Sequence, residues 1–267
     1  MKQQFKKIAL IAAMSAALGA VSNNAMSAEF FTVNEAVVQP TNAQTFVANL
    51  IVGQYGESVT FGLNNTFTTS VVFQATGFTG DQLITSNLRA ANGYNLYATL
   101  TAGGTYVTDG SSTTFTFTPN SGSGLSVYID PDQDTTFSAQ TSTTKGSLIT
   151  GGMGNDLLIA TGAVTQGGGT LTCTGNGDNC GSFGTKTTFA LVGVGSQYFA
   201  APNPFYDMTF SSGDFQGFTP IAGTTQYTKG KLSLDFESKP VPEPESLALF
   251  GIGLLGLGMT MRRRKQA

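Results

Sequence analysis

A period of two in the apolar residues restricts the fold of this 267-residue chain more than any other feature. Val59, Phe61 and Leu63 alternate with Ser58, Thr60 and Gly62, and Phe67, Thr69, Val71 and Phe73 share one face. The same alternation recurs at Phe115 and Phe117, at Leu125, Val127 and Ile129, and at Leu232, Leu234 and Phe236. Successive side chains of a strand point to opposite faces, so period two over four to six residues writes half-buried strands. Turn signals fall between these runs: Asn64-Asn65, Asn92-Gly93, Gly103-Gly104, Asp109-Gly110, Pro119-Asn120, Gly151-Gly152 and Asn176-Gly177. No helical period stands out between residues 29 and 240, and the 34 glycines suit turns rather than helices. The expected fold is all-β, a two-sheet antiparallel sandwich or jelly roll with a core drawn from 20 phenylalanines. No charge run or linker divides residues 29–240, which are expected to form one domain.

The two ends differ from the body. Lys6 and Lys7 precede an apolar run from Ile8 to Val21, and small residues follow. That run is short for a bilayer span and suits a signal peptide over residues 1–28, with Ala28 the last residue removed and Ala25 the alternative. At the other end, Pro242, Glu243 and Pro244 precede an apolar stretch within 246–261 and the basic cluster Arg262, Arg263, Arg264 and Lys265. The prolines keep their segment extended. A Gly-rich apolar helix then spans the membrane, and the basic end stays cytoplasmic.

The tail from Val241 to Lys265 resembles the PEP-CTERM sorting signal of Gram-negative bacteria. That resemblance implies reading by an exosortase, a membrane cysteine transpeptidase. It also implies cleavage near Pro242-Glu243-Pro244, and delivery to the cell surface or an exopolysaccharide matrix. Three short pieces of the body look like the flocculation-associated PEP-CTERM proteins: Phe30–Glu35, Ala91–Ala98, and Leu125–Pro131 with Asp134–Thr136. The resemblance implies a role in holding cells and exopolysaccharide together, and carries no catalytic site.

Asp130, Asp132 and Asp134 alternate after a strand, a pattern that either holds Ca²⁺ or makes an acidic turn. It is not an EF-hand, because Thr135 and Thr141 stand where that loop needs Gly and Glu. Residues Gly151–Ile159 fit one copy of a calcium-binding glycine-aspartate repeat. A lone copy cannot stack into the roll that motif requires, so a glycine turn is expected there. Cys173 and Cys180 are the only cysteines, and in an exported chain they read as one disulfide. With no His anywhere, Ser-His-Asp and Cys-His catalysis and His-ligated zinc are excluded.

Between the two end signals, 6 basic residues face 14 acidic ones, a formal charge of −8 that repels a phosphate backbone and disfavours nucleic acid. No pair of carboxylates is singled out as a glycosidase pair. The expected function is therefore a non-enzymatic, exported surface or matrix protein. It would be sorted by exosortase, pass transiently through the inner membrane and support flocculation or biofilm formation with exopolysaccharide. The alternative is a calcium-assisted carbohydrate-binding module using exposed Tyr94, Tyr97 or Tyr128.

Overall fold

The computed structural model describes residues 29–39, 41–119, 124–137, 149–172, 180–215 and 219–237. The predicted signal helix and the tail helix lie outside them, as do Ala28, Cys173, Pro242, Glu243, Pro244, Arg262, Arg263 and Arg264. The described chain runs β1 (Phe31–Asn34), β2 (Thr45–Ala48), β3 (Leu50–Phe61), β4 (Thr66–Thr79), β5 (Asn95–Asp109), β6 (Ser112–Phe117), β7 (Gly124–Asp130) and β8 (Thr136–Phe137). It continues with β9 (Ile149–Gly151), β10 (Leu157–Gly162), β11 (Val164–Leu171), β12 (Gly181–Thr187) and β13 (Ala190–Leu191). A four-residue helix α1 (Gly195–Tyr198), β14 (Phe199–Ala201), β15 (Asp207–Phe215) and β16 (Thr225–Glu237) complete it.

The all-β expectation holds, but the sheet does not split into the two facing layers of a sandwich. Eight strands pair in the order β5–β4–β3–β16–β15–β12–β11–β6, and β6 returns to β5, closing an antiparallel barrel. The device that permits closure is a fork in β5. Its first half, Asn95–Thr101, pairs with β7, and its second half, Gly104–Asp109, pairs with β6. The switch falls at Gly103-Gly104, which was expected to be a turn and is instead strand interior. A Cβ on Gly104 would lie 2.0 Å from the Thr116 carbonyl oxygen, so only glycine lets the two backbones approach there. Beyond the fork, β7, β10 and β13 extend the sheet outside the barrel.

Alternation decides what fills the barrel. Phe67, Val71 and Phe73 are buried, as are Leu232, Leu234 and Phe236. Leu63, grouped with Val59 and Phe61 by its spacing, lies past the end of β3 and is 76% exposed. Asn64 and Asn65 there adopt left-handed φ angles of 60° and 56°, the conformation that tight hairpins demand. Near the hairpin turns, Phe67 meets Phe115 and Phe117 edge-on, each at 5.4 Å, and Phe61 meets Tyr106 at 5.1 Å. At the opposite end Phe236 packs against Phe31 at 4.8 Å, Phe205 at 5.0 Å and Phe189 at 5.3 Å. Each such ring contributes about 1.5–3 kcal/mol by leaving water. Phe31 and Phe199 belong to a separate three-stranded sheet, β14–β1–β2, and both touch Phe236.

The Phe31–Phe236 contact places the first described strand beside the last. Phe31 and Glu237 therefore lie toward one end of the barrel. The turns β3–β4, β5–β6, β11–β12 and β15–β16 share the other, as the antiparallel registers require.

Candidate functional site

Outside the barrel, β7 ends at Asp130 and the chain turns through Pro131–Asp134. The Asp130 side chain is fully buried. Its Oδ2 accepts from Asn95 Nδ2 at 3.0 Å and from the Thr135 N–H at 3.1 Å, and its Oδ1 accepts from the Asp134 N–H at 3.2 Å. The carboxylate thereby fixes the turn that follows it. Asn95 can reach it because Asn95 and Asp130 are paired across β5 and β7.

The second contributor is the glycine run after β9. Gly152 takes a left-handed φ of 86°, and a Cβ there would lie 2.3 Å from the Asp134 carbonyl oxygen. That contact seats residues 151–156 against the Asp130–Asp134 turn and brings in Asp156. Asp156 Oδ2 accepts from the Tyr97 hydroxyl and from Thr135 Oγ1 at 2.9 Å. Asp156 Oδ1 is buried and has no hydrogen-bond partner. Burial holds the Asp156 carboxyl above the usual carboxylate range, against the pull of the Tyr97 and Thr135 hydroxyls, and the nearby Asp130 and Asp134 charges add to the rise. Burial also raises the Tyr97 phenol, and the Asp156 carboxylate it donates to raises it further.

One carboxylate oxygen from each of Asp130, Asp134 and Asp156 falls within 4.8 Å of the others. Of the metal-ligand set read from the sequence, Asp130, Asp132 and Asp134, the fold gathers Asp130 and Asp134 here with Asp156. Asp132 Oδ2 instead accepts from Asn155 Nδ2 at 2.7 Å and holds the two turns together. The glycine-aspartate segment does form a glycine turn leading into β10, as expected. The sequence contained both halves of the cluster, but 22 to 26 residues separate Asp130 and Asp134 from Asp156, and only the turn packing joins them.

The proposed sugar platform fares differently. Tyr94 and Tyr97 are fully buried. Tyr97 stacks on half-buried Tyr128 at 5.1 Å and meets Phe137 edge-on at 5.2 Å. Tyr94 donates to Glu35 Oε1 at 3.1 Å and lies 2.7 Å from the Tyr198 hydroxyl. Two of the three rings therefore cannot present a face to a glycan.

Cys180 is fully buried, and no free cysteine stands among the described residues. Because Cys173 lies outside them, no bridge between the two is described. The chain reaches the tail from Glu237, the last residue of β16. Its carboxylate pairs with Lys186 Nζ and accepts from Thr209 Oγ1 at 2.8 Å. The Lys186 hydrogen bond holds the Glu237 carboxyl below its usual range.

Residues 240–265 match the PEP-CTERM protein-sorting motif. No curated protein and no solved structure matches the chain. The C-terminus thus carries the sorting motif of proteins that are exported and sorted to the cell surface in Gram-negative bacteria, and the motif implies processing by exosortase.

Proposed function

We propose that this chain is a non-enzymatic surface or matrix protein that supports flocculation or biofilm formation by association with exopolysaccharide. The sorting motif at residues 240–265 carries the reading. On it, residues 1–28 act as a cleaved signal peptide ending at Ala28. Pro242, Glu243 and Pro244 form the segment that the exosortase reads, and Arg262, Arg263 and Arg264 retain the tail until cleavage. The barrel is suited to that role because β16 is an interior strand, paired with β3 as far as Asp235 and with β15 as far as Glu237. A pull on the tail would have to break a barrel strand, not peel an edge.

The test is fractionation of the full-length protein in a floc-forming Gram-negative host with and without its exosortase. The processed form should be shorter and outside the membrane fraction only when the exosortase is present. Glu243→Ala with Pro244→Ala should leave a longer, membrane-held protein. The same mass and location in both hosts would overturn the sorting reading. Deletion of the protein should weaken cell aggregation without loss of polysaccharide; unchanged aggregation would overturn the matrix role.

A further inference from the structure

We infer that the hairpin end of the barrel holds a site for a small organic ammonium ion, framed by Phe67, Phe115, Phe117 and Phe183 with the Glu57 carboxyl as its counter-charge. The inference goes beyond the sorting reading and does not depend on it.

Strand register builds the cavity. Gly169 on β11 pairs with Phe115 on β6 and with Phe183 on β12, so a position without a side chain lies between two rings. A Cβ on Gly169 would lie 2.9 Å from the Phe183 Cβ, and glycine leaves that space to the cavity. Glu57 and Val59 on β3 line it from the opposite wall of the closed barrel. Phe67 stands at 86° to Phe115 and 74° to Phe117, so the ring planes around the space are steeply inclined to one another. Exposed Ser182 and buried Glu57 both line the cavity, which therefore reaches from the surface into the interior. About 30 Å³ of it is open to the centre of a water-sized molecule. With the water radius of about 1.4 Å added, that space takes a compact guest of roughly 3.3 Å radius, which suits a methylated ammonium head group.

The chemistry of the lining selects the guest. Glu57 is the only titratable side chain that lines the cavity, and no Lys or Arg lines it. Among the described residues its one hydrogen-bond donor is the Thr69 hydroxyl. A buried carboxylate without a counter-charge is costly, and here burial raises the carboxyl to about 7. A cation beside it would bring it back down. Aromatic rings attract a cation through their negative faces, most strongly where water is excluded, and they also hold methyl groups by apolar contact. A metal ion is a poor match, because calcium and magnesium want several oxygen ligands and the cavity has a single carboxylate. A neutral apolar guest would leave Glu57 uncompensated, and an anion would be repelled. A methylated ammonium answers both features, its methyl groups meeting the rings and its charge meeting Glu57.

The experiment uses the full-length protein held in a non-ionic detergent. The probes are choline chloride and 3,3-dimethyl-1-butanol, which has the same shape without the charge. Calorimetric titration at pH 8 should show choline binding, and the neutral alcohol should bind at least about tenfold more weakly. In proton NMR the N-methyl signal of bound choline should move upfield under the phenylalanine rings. Glu57→Gln keeps the size of the side chain and an acceptor for Thr69, and it should weaken choline binding at least about tenfold without lowering Tm at pH 8. Choline should also bind the wild type more tightly at pH 8 than at pH 6, because the ionised carboxyl is the form that pairs with it. No choline binding by the wild type, or equal binding by a folded Glu57→Gln, would overturn the site. Equal affinity of the wild type for the alcohol would overturn the ammonium assignment in favour of a plain apolar cavity.

Discussion

Two buried glutamates show how differently a carboxyl can be accommodated. Glu35 is fully buried yet accepts from Ser86 Oγ at 2.6 Å, the Asn87 N–H at 2.9 Å, Asn87 Nδ2 at 2.8 Å, the Gln44 N–H at 3.3 Å and the Tyr94 hydroxyl. It ties the start of the domain to residues 86–94. Glu57, inside the barrel on β3, has the Thr69 hydroxyl as donor and borders a cavity of about 30 Å³ with Phe67, Phe115, Phe117 and Phe183. Its cross-strand partners Val71 and Thr228 are uncharged. Burial pushes the Glu57 carboxyl up from 4.5 to about 7, against the smaller pull of Thr69. The folded state therefore holds a proton that the unfolded state releases between those values. Stability from this group is complete below about pH 4.5, falls as pH rises through 7, and is flat above, a loss of roughly 3 kcal/mol. Chemical denaturation of the wild type from pH 5 to 8 should show that fall, and Glu57→Gln should remove it. Parallel profiles in the two proteins would refute the assignment.

Among the elements, the β11–β12 hairpin carries the cysteines. Leu171 pairs with Gly181, and the Thr172 N–H donates to the Cys180 carbonyl at 2.7 Å. This register carries the strands to the positions next to Cys173 and beside buried Cys180, at one end of the hairpin. A disulfide there would close a six-residue loop and contribute about 2–3 kcal/mol, in the lower part of the usual range because the loop is short. Thiol labelling of the unfolded, unreduced protein should find no free thiol, and reduction should lower the denaturation midpoint. Two labelled cysteines would exclude the bridge. Alternation and turn chemistry made most of these elements legible: β4, β6, β7 and β16 all follow the period-two runs. The glycine pair at 103–104 misled because glycine serves both a turn and a close strand approach, and only the position of β6 distinguishes them.

For the whole molecule, closure of the barrel and the placement of its two ends matter most. The aromatic cluster around Phe236 and the Lys186–Glu237 pair complete the barrel before residue 238 is reached. A chain stopped after residue 240 should therefore keep a melting temperature within about 2 °C of the full-length protein, since no described barrel contact is removed. A drop well beyond that would mean that the tail contributes to the fold. Glu237, the last described residue of β16, lies at the end of the barrel opposite the β3–β4 and β5–β6 turns.

The sequence alone determined the inward and outward faces of the strands, the sorting motif and the candidate ligands Asp130 and Asp134, because each is a local pattern within a few residues. The fold brings together three short pieces of the body that are far apart in the sequence: Glu35 meets Tyr94, and Asn95 meets Asp130. Those contacts are buried and structural. The tertiary structure decided the rest. Period two records which face of a strand is buried but not whether the sheet folds over as a sandwich or curls shut. That depended on β5 changing partners at Gly104. Asp156 joined the acidic cluster, and Tyr94 and Tyr97 left the surface, for the same reason: contacts between residues 20 to 100 positions apart depend on strand pairing, which no local pattern encodes.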